Sequence, residues 1–249
     1  MKIAMITQAE KVHYIRCFFG LLKPDITELP ISSRLDLVQV QMPRIPKHRF
    51  FEKRRKKYEK KLAQLLKDRQ VSNVYYEASG AAQRYLMEHF KEALQKAAKM
   101  YKIPLESADI ALVCTDTNNQ ALQRIIDDIC LTTRFAVLLS ENPEKGEVFS
   151  SAIYDNCGYP LFVSRPTASR EDFDIAILLE HTDIKIRGKL TFNLTGEMLP
   201  AVKDEIIIHS LMIDSDEIKQ LKKSGIEDEI IYQIALDCGL QDVKIVDFL

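Results

Sequence analysis

Apolar residues along this chain keep two rhythms: short runs in which every position or every second position is apolar, and longer stretches in which apolar residues recur every third or fourth position. The first is the rhythm of strands, the second of helices lying on a sheet. Residues 2–7 read as a first strand. Ala9, Val12, Ile15, Phe19 and Leu22 then follow at helical spacing up to Pro24. Pro24, Pro30, Pro43 and Pro46 punctuate the next stretch, leaving residues 35–42, with Leu35, Leu37 and Val40, as a second strand. Farther on, Phe51, Tyr58, Leu62, Leu65 and Leu66 form a helical stripe that predicts a docked helix. Residues 71–77 read as a third strand. Residues 80–100 read as one long helix with Tyr85, Leu86, Phe90, Ala93, Leu94 and Ala97 turned inward. Pro104 ends it, which sets the expected division at 1–104, an N-terminal α/β unit, and 105–249, a second domain.

That second part alternates more regularly. DIALVCT at 109–115 is a nearly continuous apolar run, as expected of a strand covered on both faces, and so implies a parallel sheet. A helix over 118–131 carries Leu122, Ile125, Ile126 and Ile129. RFAVLLS at 134–140 is the next strand, and a helix over 143–156 turns Val148, Phe149, Ala152 and Ile153 inward. Gly158 stops that helix. Strands are expected over 160–164, 174–179 and 189–194, then over 205–213. Asp214 and Glu217 suggest a capping box for a short helix ending before Gly225. A second helix carries Ile230, Ile231, Ile234 and Ala235 inward, and residues 243–248 close the chain as a strand. The two helices read as a helical C-terminal cap.

Charge changes the picture at one place. The whole chain has 35 basic and 36 acidic residues, which by itself points to neither nucleic acid nor membrane. Residues 44–69, however, carry about +9 and residues 70–249 about −11. The basic helix has Arg49, Lys53, Arg54, Arg55, Lys56, Lys57, Lys60 and Lys61 as candidate contacts to an acidic partner, a nucleic acid or an anionic lipid surface. The alternative is a face paired within the molecule or across a homo-oligomer. The five cysteines, Cys17, Cys114, Cys130, Cys157 and Cys238, are scattered and fit buried free thiols. No metal spacing occurs among the cysteines and histidines, so no metal is expected. Without a signal-like start or an apolar run long enough to span a bilayer, the expected compartment is the cytoplasm.

Three stretches, RFAVLLSENPEKGEVFSSAIYDNCG, DFDIAILLEHT and GKLTFNLT, carry a resemblance of residues 109–194 to the Rossmann-like NAD(P)-binding domain of shikimate dehydrogenases and glutamyl-tRNA reductases. The resemblance implies an α/β fold with a mostly parallel sheet and a nucleotide at its carboxyl edge. One departure bears on that cofactor. Where G-x-G-x-x-G brings backbone to a pyrophosphate, this chain has Cys114-Thr115-Asp116-Thr117-Asn118-Asn119-Gln120, with no glycine and with an acid in the turn. NAD(P) is therefore not favoured. If a nucleotide binds, Thr115, Thr117, Asn118, Glu141 and Arg165 are its candidate contacts. Glu141 lies where a ribose-binding acid would fall, although an acid before Asn142-Pro143 also suits a helix start.

In doubly wound sheets ligands lie beyond the carboxyl ends of the strands where the strand order reverses. The usual order brings Thr115, Asp116, Thr117 and Asn118 near Glu180, His181 and Thr182. His181 with Asp116 or Glu180 is then the candidate acid–base pair. Cys114 lacks a basic partner and reads as a core thiol. The expected function is that of a non-catalytic small-molecule-binding or regulatory protein. The alternatives are an NAD(P)-type oxidoreductase with a modified cofactor mode and a nucleic-acid or protein adaptor working through the basic segment.

Overall fold

A computed structural model describes residues 1–9, 23–76, 78–166, 171–181, 186–197, 199 and 205–249. The helix expected beyond Ala9 and the position of Thr182 lie outside them. The chain divides into two compact units, residues 1–79 with 216–234, and residues 80–215 with 235–249.

The first unit is built on a sheet of β1 (Lys2–Gln8), β2 (Asp25–Pro30), β3 (Asp36–Met42) and β4 (Asn73–Tyr75) in the order β2-β3-β1-β4. β1 runs parallel to both β3 and β4, while β2 pairs antiparallel with β3. β2 was not expected from the sequence. Its residues DITELP are mostly exposed, so it has no apolar rhythm, and its closing proline is tolerated because β2 is an edge strand. Helix α1 (Glu52–Asp68) lays Leu62, Leu65 and Leu66 on the sheet face made by Ala4, Ile6, Val38 and Val40. It is docked, as its stripe predicts. Helix α6 (Asp216–Lys223) also falls in this unit, where the Gln39 side chain donates to the Ser224 carbonyl at 2.6 Å.

The second unit holds a six-stranded sheet: β5 (Ile110–Val113), β6 (Ala136–Leu139), β7 (Leu161–Ser164), β8 (Glu171–Leu178), β9 (Ile186–Asn193) and β10 (Ile206–Ile208). Its order is β10-β9-β8-β5-β6-β7 and every neighbouring pair is parallel. Counted from β5 this is 3-2-1-4-5-6, the Rossmann order. Ala111, Val113, Leu139, Ala176, Leu178 and Ile186 form one buried cluster. The alternate residues Ile110, Leu112, Leu138, Ile175 and Ile177 are buried too, so both sheet faces are covered. Around the sheet are α2 (Ala81–Glu88), α3 (Phe90–Met100), α4 (Gln120–Ile129) and α5 (Pro143–Cys157). β11 (Leu211–Asp214) pairs antiparallel with the C-terminal β12 (Lys244–Phe248), and α7 (Asp228–Cys238) runs across the 234/235 division.

Several expectations change here. Residues 80–104 group with the Rossmann sheet rather than with the first unit, because Phe90 packs edge-on against Phe192 of β9 and Arg124 of α4 grips the Glu88 carboxylate through Nη1 and Nη2, at 2.6 and 2.8 Å. Residues 216–234, expected as part of a cap on the second domain, group with the first unit. The single helix over 80–100 is two. His89, at φ −114° and ψ 24°, breaks it, and its ring stacks on Tyr85 at 4.1 Å. Apolar spacing runs unbroken through that joint, so periodicity could not reveal it. The strand expected over 205–213 is likewise two, β10 and β11. In α5, Val148 and Ala152 face solvent, while Gly146 and Ile153 are the buried positions. A Cβ at Gly146 would come within 2.7 Å of Val163, so the helix approaches β7 through its glycine. Cys114 is buried, but Cys157 is exposed rather than a core thiol. No helix among the described residues is long and apolar enough to cross a membrane.

Candidate functional site

The strand order reverses between β5 and β8: the chain leaves β5 toward β6 on one side and later returns to β8 on the other. The loops after these two strands therefore diverge, which opens a crevice at their carboxyl ends. Backbone pairing continues past β8, with the Leu179 amide donating to the Val113 carbonyl at 3.1 Å. That last rung sets Glu180 beside the turn that follows β5.

Glu180 fills the turn. Its Oε2 accepts from the Thr115 amide at 2.8 Å and its Oε1 from the Asp116 amide at 2.9 Å, and the Cys114 thiol also donates to Oε1 at 3.3 Å. Consecutive backbone amides at this place are what a Rossmann fold offers to a phosphate. Partial burial pushes the Glu180 carboxyl up, but the amides of Asp116 and Thr115 and the Cys114 thiol favour its ionised form, and the net is a value below the ordinary 4.5. The same contact acts oppositely on Cys114. Burial, then the hydrogen bond to Glu180, push its thiol up to about 12, so it stays protonated and is a donor rather than a nucleophile.

The rest of the turn is also engaged. Asp116 Oδ1 accepts from the Asn118 amide at 3.0 Å, and the Asn119 side chain caps α4 by accepting from the Ala121 amide at 2.9 Å. Asp116 thus serves its own turn, whereas His181 Nδ1 lies 3.2 Å from Glu197 Oε2, with both side chains more than half exposed. Thr115 and Thr117 are half-buried and Asn118 is exposed. Glu141 is exposed beyond β6, next to Asn142, which caps α5 by accepting from the Lys145 amide. Arg165 is exposed beyond β7.

A neighbouring network escaped sequence reasoning. Asn193, fully buried at the end of β9, donates through Nδ2 to the Glu197 carbonyl at 2.6 Å and to His209 Nδ1 at 2.8 Å, while its Oδ1 accepts from the amide and hydroxyl of Thr195. A histidine that accepts at Nδ1 carries its proton on Nε2, so this network fixes the tautomer of His209. Burial lowers the His209 pKa from its ordinary 6.5. The only signal in the sequence is Asn193 at the end of an apolar run. Its partner sixteen residues on is unrelated to any motif spacing.

At the carboxyl ends of β5, β6, β8 and β9, and in the loops that follow them, stand Asp116, Glu141, Glu180, His181 and Glu197, of which His181 meets Glu197 and Glu180 meets the Asp116 amide. Two depressions lie elsewhere in this unit. One of about 740 Å³, bordered by Lys99, Pro104, Leu131 and Arg134, sits at the amino end of the sheet. One of about 350 Å³ adjoins Tyr85, His89, Glu92 and Asp242. No cluster of three or more metal-ligating side chains occurs among the described residues.

In the first unit, the basic segment resolves into separate roles. Arg54 and Arg55 are half-buried, and Arg55 donates to the Pro46 carbonyl at 3.0 Å. Lys56 pairs with Glu52 at 3.0 Å. Arg49, Lys53, Lys57, Lys60 and Lys61 are exposed.

No family model matches this chain, and no curated protein does. Among solved structures the chain is similar to the Ael1 enzyme from Pseudomonas putida, at 12% identity over 72% of this chain and 69% of that one, with a TM-score of 0.32. It is also similar to the ligand-free 5-ketofructose reductase of Gluconobacter sp. strain CHM43, at 7% identity over 96% and 94%, TM-score 0.39. A third is the chorismate mutase/shikimate 5-dehydrogenase fusion protein from Clostridium acetobutylicum, at 10% identity over 95% and 89%, TM-score 0.31. The Rossmann assignment rests on the strand order itself.

Proposed function

We propose that this chain is a cytosolic, non-catalytic binding or regulatory protein whose crevice beyond β5 and β8 takes a small metabolite that lacks a diphosphate. The observation that carries this reading is the Glu180 carboxylate on the Thr115 and Asp116 amides. A diphosphate arriving there meets a negative charge instead of free donors, with Asp116 beside it. Acids and a histidine around the crevice suit a ligand rich in hydroxyl or amino groups.

The test is thermal denaturation of the purified chain with NAD, NADP, ATP, S-adenosylmethionine, phosphorylated metabolites, polyols and amino acids. A ligand at a hundred times its Kd adds about 2.7 kcal/mol, enough to read as a shift in Tm. The expected result is no shift with NAD or NADP, and a shift with a hydroxyl- or amine-bearing metabolite that Glu180→Gln removes. A shift with NAD or NADP that is lost in Asp116→Ala overturns the reading in favour of an oxidoreductase with a modified cofactor mode.

A second reading is favoured by a separate observation. Lys53, Lys57, Lys60 and Lys61 are exposed on α1, and no acidic side chain pairs with them among the described residues. This supports α1 as a docking face for an anionic partner.

A further inference from the structure

Helical geometry turns the α1 sequence into a surface. At 100° per residue, Lys53, Lys57, Lys60, Lys61 and Lys67 fall on one side of the helix, and Tyr58, Leu62, Leu65 and Leu66 on the other. The apolar side is the docked one: Leu62, Leu65 and Leu66 meet the β1 and β3 side chains, and Tyr58 is buried. The lysine side is exposed, and among the described residues none of these five ammonium groups has an acidic partner. Seventeen residues make a rod of about 25 Å, with roughly one lysine per 5.4 Å turn.

Three partners of opposite charge would match such a rod, and its other features separate them. A helix that lies in a membrane needs its apolar side free to enter the lipid, and here that side is occupied by the sheet. A protein interface is built around apolar and aromatic anchors and is poor in lysine at its centre, whereas the outer face of α1 offers no apolar anchor among its lysines, only Gln64 and the Asp68 carboxylate, which accepts from the Gln64 side chain at 2.6 Å. Contacts to nucleic-acid backbone are polar, strongly basic and need no apolar centre. At the amino end of the helix, Arg49 is exposed and Phe50 is 62% exposed, a flat ring beside a cation, as found where bases stack.

We infer that the outer face of α1 binds the phosphate backbone of a nucleic acid without reading its sequence, through Lys53, Lys57, Lys60, Lys61 and Lys67. This rests on the reading of α1 as a docking face for an anionic partner and names that partner. Lysine, a point charge without a planar fork, contacts phosphate without demanding a fixed geometry.

The test is fluorescence anisotropy of the full chain with single-stranded RNA of about 20 nucleotides, which spans the site sizes of such proteins, titrated with salt. Five phosphate contacts predict a slope of log affinity against log salt of about −3.5 on a single strand, or a loss of about a hundredfold between 50 and 200 mM salt. Lys53→Gln/Lys57→Gln/Lys60→Gln should make the slope shallower by about 2, and Lys53→Arg/Lys57→Arg/Lys60→Arg should keep it. An unchanged melting temperature in each variant shows that the fold is intact. No binding at low salt, or a slope that the glutamine variant leaves alone, overturns the inference. Tighter binding to poly-glutamate or to phosphatidylserine vesicles than to RNA also overturns it, while leaving α1 a docking face for another anionic partner. Failure to bind any of these polyanions removes both.

Discussion

Glu180 carries two arguments at once, because the carboxylate that closes the β5 turn also holds it in shape. Glu180→Gln keeps the size but removes the charge and sets an amide group against backbone N–H donors. Hydrogen bonds to a charged group are worth about 1.5–3 kcal/mol, so urea unfolding at neutral pH should show a loss of that order. With its pKa held below 4.5, the Glu180 contribution is present above that value and disappears as pH falls through the lowered one. His209 should be felt in a different window. Its folded state resists protonation, so its contribution is present above the ordinary 6.5 and is lost as pH falls below it through the lowered folded value. Stability measured at about pH 7.5 and 5.5 should drop, and His209→Gln should reduce that drop. Gly188 on β9 is a third such residue, since a Cβ there would meet the Leu190 carbonyl oxygen at 2.5 Å and the Ala176 nitrogen at 2.6 Å. Both are backbone atoms of the sheet and cannot give way. Gly188→Ala is expected to cost about 1–3 kcal/mol in chemical denaturation, as overpacking does. Of these three residues the sequence points only to Glu180, as a neighbour of the turn. Its position on the amides depends on the parallel register of β5 and β8, which no local pattern contains.

At the level of elements, α1 and α5 show what a helical stripe can and cannot say. The α1 stripe is apolar on one side and charged on the other, so only one docking direction avoids burying lysine, and the sequence is enough to find it. In α5, Val148 and Phe149 are neighbours in sequence, and the side that docks is decided instead by where a glycine allows closest approach to β7. Tyr58 provides a check on α1. It is buried, and Tyr58→Ala should cost about 3 kcal/mol by loss of an aromatic side chain from the packed face, read as a lower urea midpoint. Lys57→Ala, one residue earlier and facing solvent, should change stability by less than about 0.5 kcal/mol.

For the molecule as a whole, the opposed charges of residues 44–69 and 70–249 and the filled nucleotide turn make separate expectations. The net charge is only −1, so long-range attraction to polyanions must come from one face and should vanish with salt. Dinucleotides should leave the melting temperature unchanged, since the Rossmann order supplies the crevice but Glu180 already occupies its amides.

Local chemistry determined much of this protein. Continuous apolar runs specified buried parallel strands and amphipathic spacing specified the docked face of α1, because each of these follows from a few adjacent residues and the water they avoid. Tertiary structure alone decided the rest. The grouping of 80–104 with the second sheet, the edge strand β2, the break at His89, and the meetings of Glu180 with Thr115 and of Asn193 with His209 all depend on which distant segments are brought side by side. Strand order and register are set by packing over the whole unit, and a side chain's partners across a sheet cannot be inferred from its neighbours along the chain.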